Sequence, residues 1–120
     1  METNEITERI IGGAYQVANT LGVGFLEKVY ENALAVELRS SGLQVTQQWP
    51  IKVWYRDVIV GDFLADLYVN DEVIVELKTA KALDDIHLAQ CLNYLRATQL
   101  KVCLLINFGT PKIGIKRISL

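Results

Sequence analysis

The stretch VIVELKTAK, residues 73–81, restricts the fold more than any other part of the chain. Val73, Ile74, Val75 and Leu77 read as a buried strand, yet Glu76 and Lys78 are set inside it. Burying an unpaired charge is costly, so such a strand either pairs its charges or keeps them for chemistry. Residues two apart in a strand share a face. Glu76 and Lys78 therefore lie on the Ile74 side, and Val73, Val75 and Leu77 on the other.

The preceding strand carries one more acid in an apolar setting, Asp66 within FLADLYV, residues 63–69. If Asn70-Asp71-Glu72 is a three-residue loop, Val69 pairs with Val73, and Asp66 falls opposite Glu76 on the same face. A two-residue loop places them on opposite faces, and the sequence leaves the choice open. Two carboxylates opposed across a ladder repel. The arrangement is reasonable where a divalent cation bridges them. The alternative is a solvated sheet face on which Glu76 and Lys78 form surface ion pairs.

The rest of the chain reads as follows. A helix over about Asn4–Asn19 carries Ile6, Ile10 and Val17, with Leu21 continuing the spacing and Gly22 as its stop. A second helix begins near Phe25 and ends at Gly42, with Leu26, Val29, Tyr30, Ala33, Leu34 and Leu38 as its apolar side. The period then changes to two. Gln48–Tyr55 is a strand whose Pro50 confines its start to an edge or entry position. Arg56-Asp57 turns into Val58–Val69, one long strand or two broken at Gly61-Asp62. After Val73–Thr79, Asp84 or Asp85 caps a third helix that runs to about Gln99. Lys101–Phe108 is a strand whose VCLLI core suits a doubly covered position, and Ile113–Ile118 adds a last strand. This order is an α/β (α+β) sandwich around a central mixed sheet, with the third helix as a crossover between parallel strands.

Two further groups of polar residues are candidates. Gln90 and Tyr94 lie on one stripe of the third helix, with His87 three residues earlier. Taken alone, that stripe is better explained as an ordinary amphipathic boundary, and His87 reads as a surface or capping residue. In GFLEKVY, residues 24–30, Glu27 lies three before Tyr30 and so near the core side. A solvated acid at the positive end of the helix dipole is the plain alternative.

With 120 residues the chain suits one domain spanning residues 1–120. It is 51% hydrophobic and 22% charged, an ordinary globular mixture. No apolar run is long enough to span a bilayer, and METNEITERI is too polar for a signal peptide. Cys91 and Cys103 form no CxxC pair, which disfavours zinc and fits a reducing cytoplasm. A net charge of −2 argues against binding nucleic acid through bulk positive charge.

Taken together, these residues resemble the GxxExxY family of the PD-(D/E)xK nuclease superfamily over roughly residues 5–118. Gly24, Glu27 and Tyr30 match the naming motif. Asp66, Glu76 and Lys78 match the D…ExK core, and Gln90 and Tyr94 match a QxxxY element of RecB-type nucleases. One departure is Ala65 in place of the proline before the acid. The resemblance implies a restriction-endonuclease-like mixed sheet flanked by helices. It implies that Asp66, Glu76 and the Leu77 carbonyl, with Glu27, hold Mg²⁺ or Mn²⁺. Lys78 then positions the attacking water, and Gln90 and Tyr94 orient the site.

The expected activity is metal-dependent hydrolysis of phosphodiester bonds, on DNA ahead of RNA, with no membrane partner. Oxygen donors without Cys or His suit Mg²⁺ and Mn²⁺. A homodimer with a longer groove is one assembly open to so small a chain. The alternative is a non-catalytic module that keeps the nuclease fold and binds nucleic acid or a protein.

Overall fold

The hydrophobic period changes from helical to alternating and back, and the architecture changes with it. The computed structural model describes residues 1–120. Helices α1 (Thr3–Leu21) and α2 (Glu27–Ser40) come first, followed by strands β1 (Val45–Tyr55), β2 (Val58–Val69) and β3 (Val73–Lys78). Helix α3 (Asp85–Thr98) then leads to β4 (Val102–Asn107) and β5 (Gly114–Ser119). The strands form one sheet in the order β1-β2-β3-β4-β5. Its pairs are antiparallel except β3 with β4, which are parallel and joined through α3. No helix is long and apolar enough to cross a membrane.

Strict alternation along β3 and β4 builds a core on each side of the sheet. Val73, Val75, Leu77, Val102, Leu104 and Ile106 pack with Ile6, Ile10, Ala14, Leu34 and Leu38 of α1 and α2. Ile74, Cys103 and Leu105 face the other way and pack with Cys91, Tyr94 and Leu95 of α3. Every residue of β4 is buried, as a strand covered on both faces requires. Both cysteines are buried and free.

Two expectations about α2 and β1 need correction. Helix α2 starts at Glu27 rather than near Phe25, and its buried arc is Tyr30, Glu31, Leu34, Ala35 and Leu38. Leu26 is 80% exposed and Val29 38% exposed, so neither joins the core. The helix is rotated to carry Glu31 inward, where its carboxylate accepts hydrogen bonds from Gln47 and Gln48 of β1. Strand β1 begins at Val45, three residues before the expected start, and Pro50 sits within it opposite Leu64. β1 is an edge strand, the position in a sheet where proline is tolerated.

The α1–α2 connection explains two of the three motif residues in GFLEKVY. Gly24 has φ +110°, which favours glycine. The Tyr30 hydroxyl donates to the Gly22 carbonyl at 2.6 Å and accepts from the Phe25 N–H at 3.3 Å. Its ring stacks on Phe108 with centroids 4.7 Å apart. Gly24 and Tyr30 thus shape the loop that delivers Glu27. Tyr30→Phe keeps the ring and deletes the clamp. It is expected to cost about 1–2 kcal/mol in a urea-unfolding measurement; an unchanged midpoint would remove this role.

Candidate active site

The site forms where the β2–β3 seam opens. The turn at Asn70-Asp71 has positive φ at both residues, and the Glu72 N–H donates back to the Val69 carbonyl at 3.0 Å. Val69 nevertheless pairs with Val73, leaving Glu72 as an extra residue in the loop. The three-residue register is therefore the one formed. The backbone ladder continues through Tyr68–Ile74 and Leu67–Val75 and stops there.

Beyond that point the acids replace the ladder. The Asp66 N–H donates to Glu76 Oε1 at 2.9 Å, and the Leu77 N–H donates to Asp66 Oδ2 at 2.8 Å. Asp66 and Glu76 are thus adjacent but lie past the end of the ladder, rather than within it as a regular hairpin would place them. The cause is a break in β2. Ala65 and Tyr68 pack on the α3 side, whereas Leu67 packs against α1 and α2. A regular strand would keep Ala65 with Leu67. The break falls at Asp66, beside Gln48 of β1, which has φ +53°.

Lys78 extends the same edge of β3 toward α3. Its Nζ makes a long contact of 3.5 Å with Gln90 Oε1, and Gln90 Nε2 donates to Tyr94 Oη at 3.0 Å. No carboxylate lies within ion-pair distance of it. The Asn107 side chain fastens the chain just beyond Lys78. Its Oδ1 accepts from the Ala80 N–H at 3.0 Å, and its Nδ2 donates to the Ala80 carbonyl at 2.9 Å.

The electrostatics are those of acids short of counter-charge. Glu76 is 4% exposed. Burial, and then the charge of Asp66, push its pKa up to about 8. Burial also raises Asp66, opposed first by the Leu77 N–H. Glu27 is raised by burial and then by Asp66. Lys78 lowers all three but does not cancel the other effects. Burial, followed by the charges of Glu76 and Asp66, pushes Tyr94 up to about 12.

Glu27, Asp66, Glu76, Lys78, Gln90 and Tyr94 are thus connected by hydrogen-bond contacts or by mutual charge, Glu27 by charge alone. No three of the Asp, Glu, His or Cys side chains are placed to hold a metal ion between them. The donor chemistry still suits a hard cation. Asp66 and Glu76 each commit one oxygen to a backbone N–H, and the other Asp66 oxygen has only a 3.4 Å contact with Gln48.

Two residues of the site went unread in the sequence. Glu31 is 3% exposed and accepts from Lys28 at 2.9 Å, Gln47 at 2.7 Å and Gln48 at 2.6 Å. Gln48 reaches from Glu31 to Asp66 and so couples α2 to the acidic pair. The available signal was the Glu27/Glu31 spacing of four, which puts both acids on one face of α2. His87 belongs to neither group. With Asp84 it forms the capping box of α3, and its Nδ1 accepts from the Asp84 N–H.

A mixed sheet crossed by α3, with two acids and a lysine where one seam opens, is the frame of a restriction-endonuclease-like nuclease fold. The sequence model of the PD-(D/E)XK nuclease superfamily matches residues 4–118, and the chain belongs to that superfamily. In three dimensions it is similar to the crystal structure of an alkaline exonuclease (LHK-Exo) from Laribacter hongkongensis. The TM-score is 0.51 at 15% identity, over 98% of this chain and 82% of the exonuclease chain. At that identity the likeness bears on the fold alone. No curated protein matches the sequence.

Proposed function

We propose that the chain is a one-domain, divalent-metal-dependent phosphodiesterase that hydrolyses nucleic acid, DNA ahead of RNA. The observation that carries this reading is the Asp66–Glu76 pair. Two buried or half-buried carboxylates are held side by side with raised pKa values, beside a lysine that neither of them neutralises. Without a cation this arrangement destabilises the fold. A bound cation offsets that cost and makes the arrangement useful.

Asp66 and Glu76 would hold Mg²⁺ or Mn²⁺ together with the Leu77 carbonyl. Glu27, whose carboxylate acts on Asp66 through its charge but is not placed as a third direct ligand, would join as a further metal or water ligand. When bound, the ion supplies charge relief at the phosphate and a more acidic water. Lys78 places a compact positive charge beside the acids, where it attracts the phosphate and orients the attacking water. Gln90 lies between Lys78 and Tyr94, with a long 3.5 Å contact to the ammonium and a 3.0 Å hydrogen bond to the hydroxyl, and would help to orient the lysine. The free thiols of Cys91 and Cys103 suit a cytoplasmic setting.

A second reading, a binding module without hydrolysis, draws on the absence of any three-acid group placed for a metal. The two separate in one assay. The purified chain is incubated with single-stranded, duplex and branched DNA and with RNA, in Mn²⁺, Mg²⁺ or EDTA. We expect cleavage in metal and none in EDTA. Binding without cleavage of any substrate would favour the module.

A further inference from the structure

A groove of about 760 Å³ opens at the Gln90–Tyr94 end of the site, and neither the acids nor Lys78 lines it. Trp54 and Phe63 of the β1–β2 hairpin line one side, and Ile86 and Arg96 of α3 line the other. Gln90 and Tyr94 also line it, so the groove is continuous with the Lys78 end of the site. A register shift between Val53 and Trp54 breaks the alternation of β1, and both residues line the groove. Trp54 is 61% exposed and Phe63 45% exposed. The Phe63 ring lies 5.8 Å from that of Tyr94. Exposed aromatic faces in an open groove mark a surface that something covers.

We infer that the groove is a stacking platform for the unpaired bases of single-stranded nucleic acid, whose backbone continues to Lys78 and the acids. The inference rests on the hydrolytic reading and names its substrate class. Arg96 in the lining and the path through Gln90 to Lys78 favour a polyanion as the occupant. A chain of net charge −2 cannot draw in a polyanion through bulk attraction and must obtain affinity elsewhere. Stacking of bases on aromatic rings supplies it without regard to sequence. Arg96 is the one charged residue lining the groove, and its sign is complementary to a phosphate backbone. A duplex keeps its bases stacked on each other and offers the rings nothing.

The two tryptophans make the test direct. Trp49 is stacked on Tyr68 with centroids 3.8 Å apart, so Trp54 is the one open to a ligand. The chain is titrated in EDTA with a twelve-nucleotide oligo-dT, following tryptophan emission and the anisotropy of a labelled copy. We expect quenching that Trp54→Ala abolishes, with affinity lowered at least tenfold by Trp54→Ala and by Phe63→Ala. Leu64→Ser, on the opposite face of β2, should bind like the parent protein. A blunt duplex should bind at least tenfold more weakly. Circular dichroism shows whether each exposed-site variant is folded.

Unchanged oligo-dT affinity in both folded groove variants would overturn the inference, as would equal binding of the duplex. Trp54 emission that follows protein concentration and ignores the oligonucleotide would also overturn it, because a second copy would then cover the groove. The outcomes separate the two proposals. Quenching through Trp54 with no cleavage in Mn²⁺ sinks hydrolysis and leaves the groove. Metal-dependent cleavage of single strands that is indifferent to Trp54 sinks the groove alone.

Discussion

Lys78→Ala is expected to lower phosphodiester cleavage by about a hundred- to a thousandfold while leaving Mn²⁺ affinity within a few-fold of the parent protein. The magnitude follows from removing a preorganised charge at the developing oxyanion, which costs about 10²–10³ when one donor is lost. A protonated lysine has no lone pair for a metal, so the ion site should survive. Glu76→Ala should remove both activity and metal binding, because it takes away an oxygen donor. The pair of variants separates ligand from catalyst, as a single knockout cannot. Mn²⁺ binding is read by calorimetry and cleavage on whichever substrate the parent protein prefers. Cleavage that persists in both variants would point to a contaminating nuclease. A Lys78→Ala protein that cleaves normally would end the role assigned to the lysine.

In EDTA, the parent protein should lose stability as pH rises from about 5 to about 9, and Glu76→Gln should abolish most of that loss. The sign comes from the Glu76 carboxyl, whose pKa is raised in the folded state to about 8 from an ordinary value of 4.5. The folded protein thus holds a proton that the unfolded chain has released. Its stabilising contribution is fully present below about 4.5 and is lost as pH rises through about 8. Roughly 2–4 kcal/mol is at stake once coupling to Asp66 is discounted, or on the order of 10 °C in Tm. Gln keeps an acceptor for the Asp66 N–H while removing the charge, so the variant should melt higher than the parent protein at pH 8.5. Adding Mn²⁺ at that pH should raise the parent's Tm and leave Glu76→Gln little changed. If Glu76→Gln melts lower in EDTA at pH 8.5, the carboxylate is structural and the case for a cation site fails.

Glu31 shows why part of the site could not be read in advance. Hydrophobic periodicity assigns the inward face of a helix to apolar residues, and on that rule α2 buries Leu26 and Val29. The helix instead turns Glu31 inward, because Gln47, Gln48 and Lys28 together satisfy its carboxylate. Those partners sit on β1 and on the preceding turn of α2. Only the packed structure brings all of them to one acid. The same holds for Asn107, whose hydrogen bonds to Ala80 tie the end of β4 to the segment that follows β3, distant in sequence.

What the sequence determined by itself is local: the helix and strand periods, the Gly22 stop, the covered character of VCLLI, and the shared face of Glu76 and Lys78. Each depends on residues within a few positions of one another, where backbone geometry leaves little freedom. The tertiary structure decided the rest. Glu72 is an extra residue in a turn that otherwise closes as a tight two-residue one, and that single insertion brings Asp66 to Glu76. The break in β2 at Asp66 then exchanges backbone pairing for carboxylate acceptors. Both outcomes reflect competition between turn geometry and the packing of two cores on opposite faces of the sheet. A one-residue change of register exchanges those faces completely, so local preference could not choose between the registers and burial did.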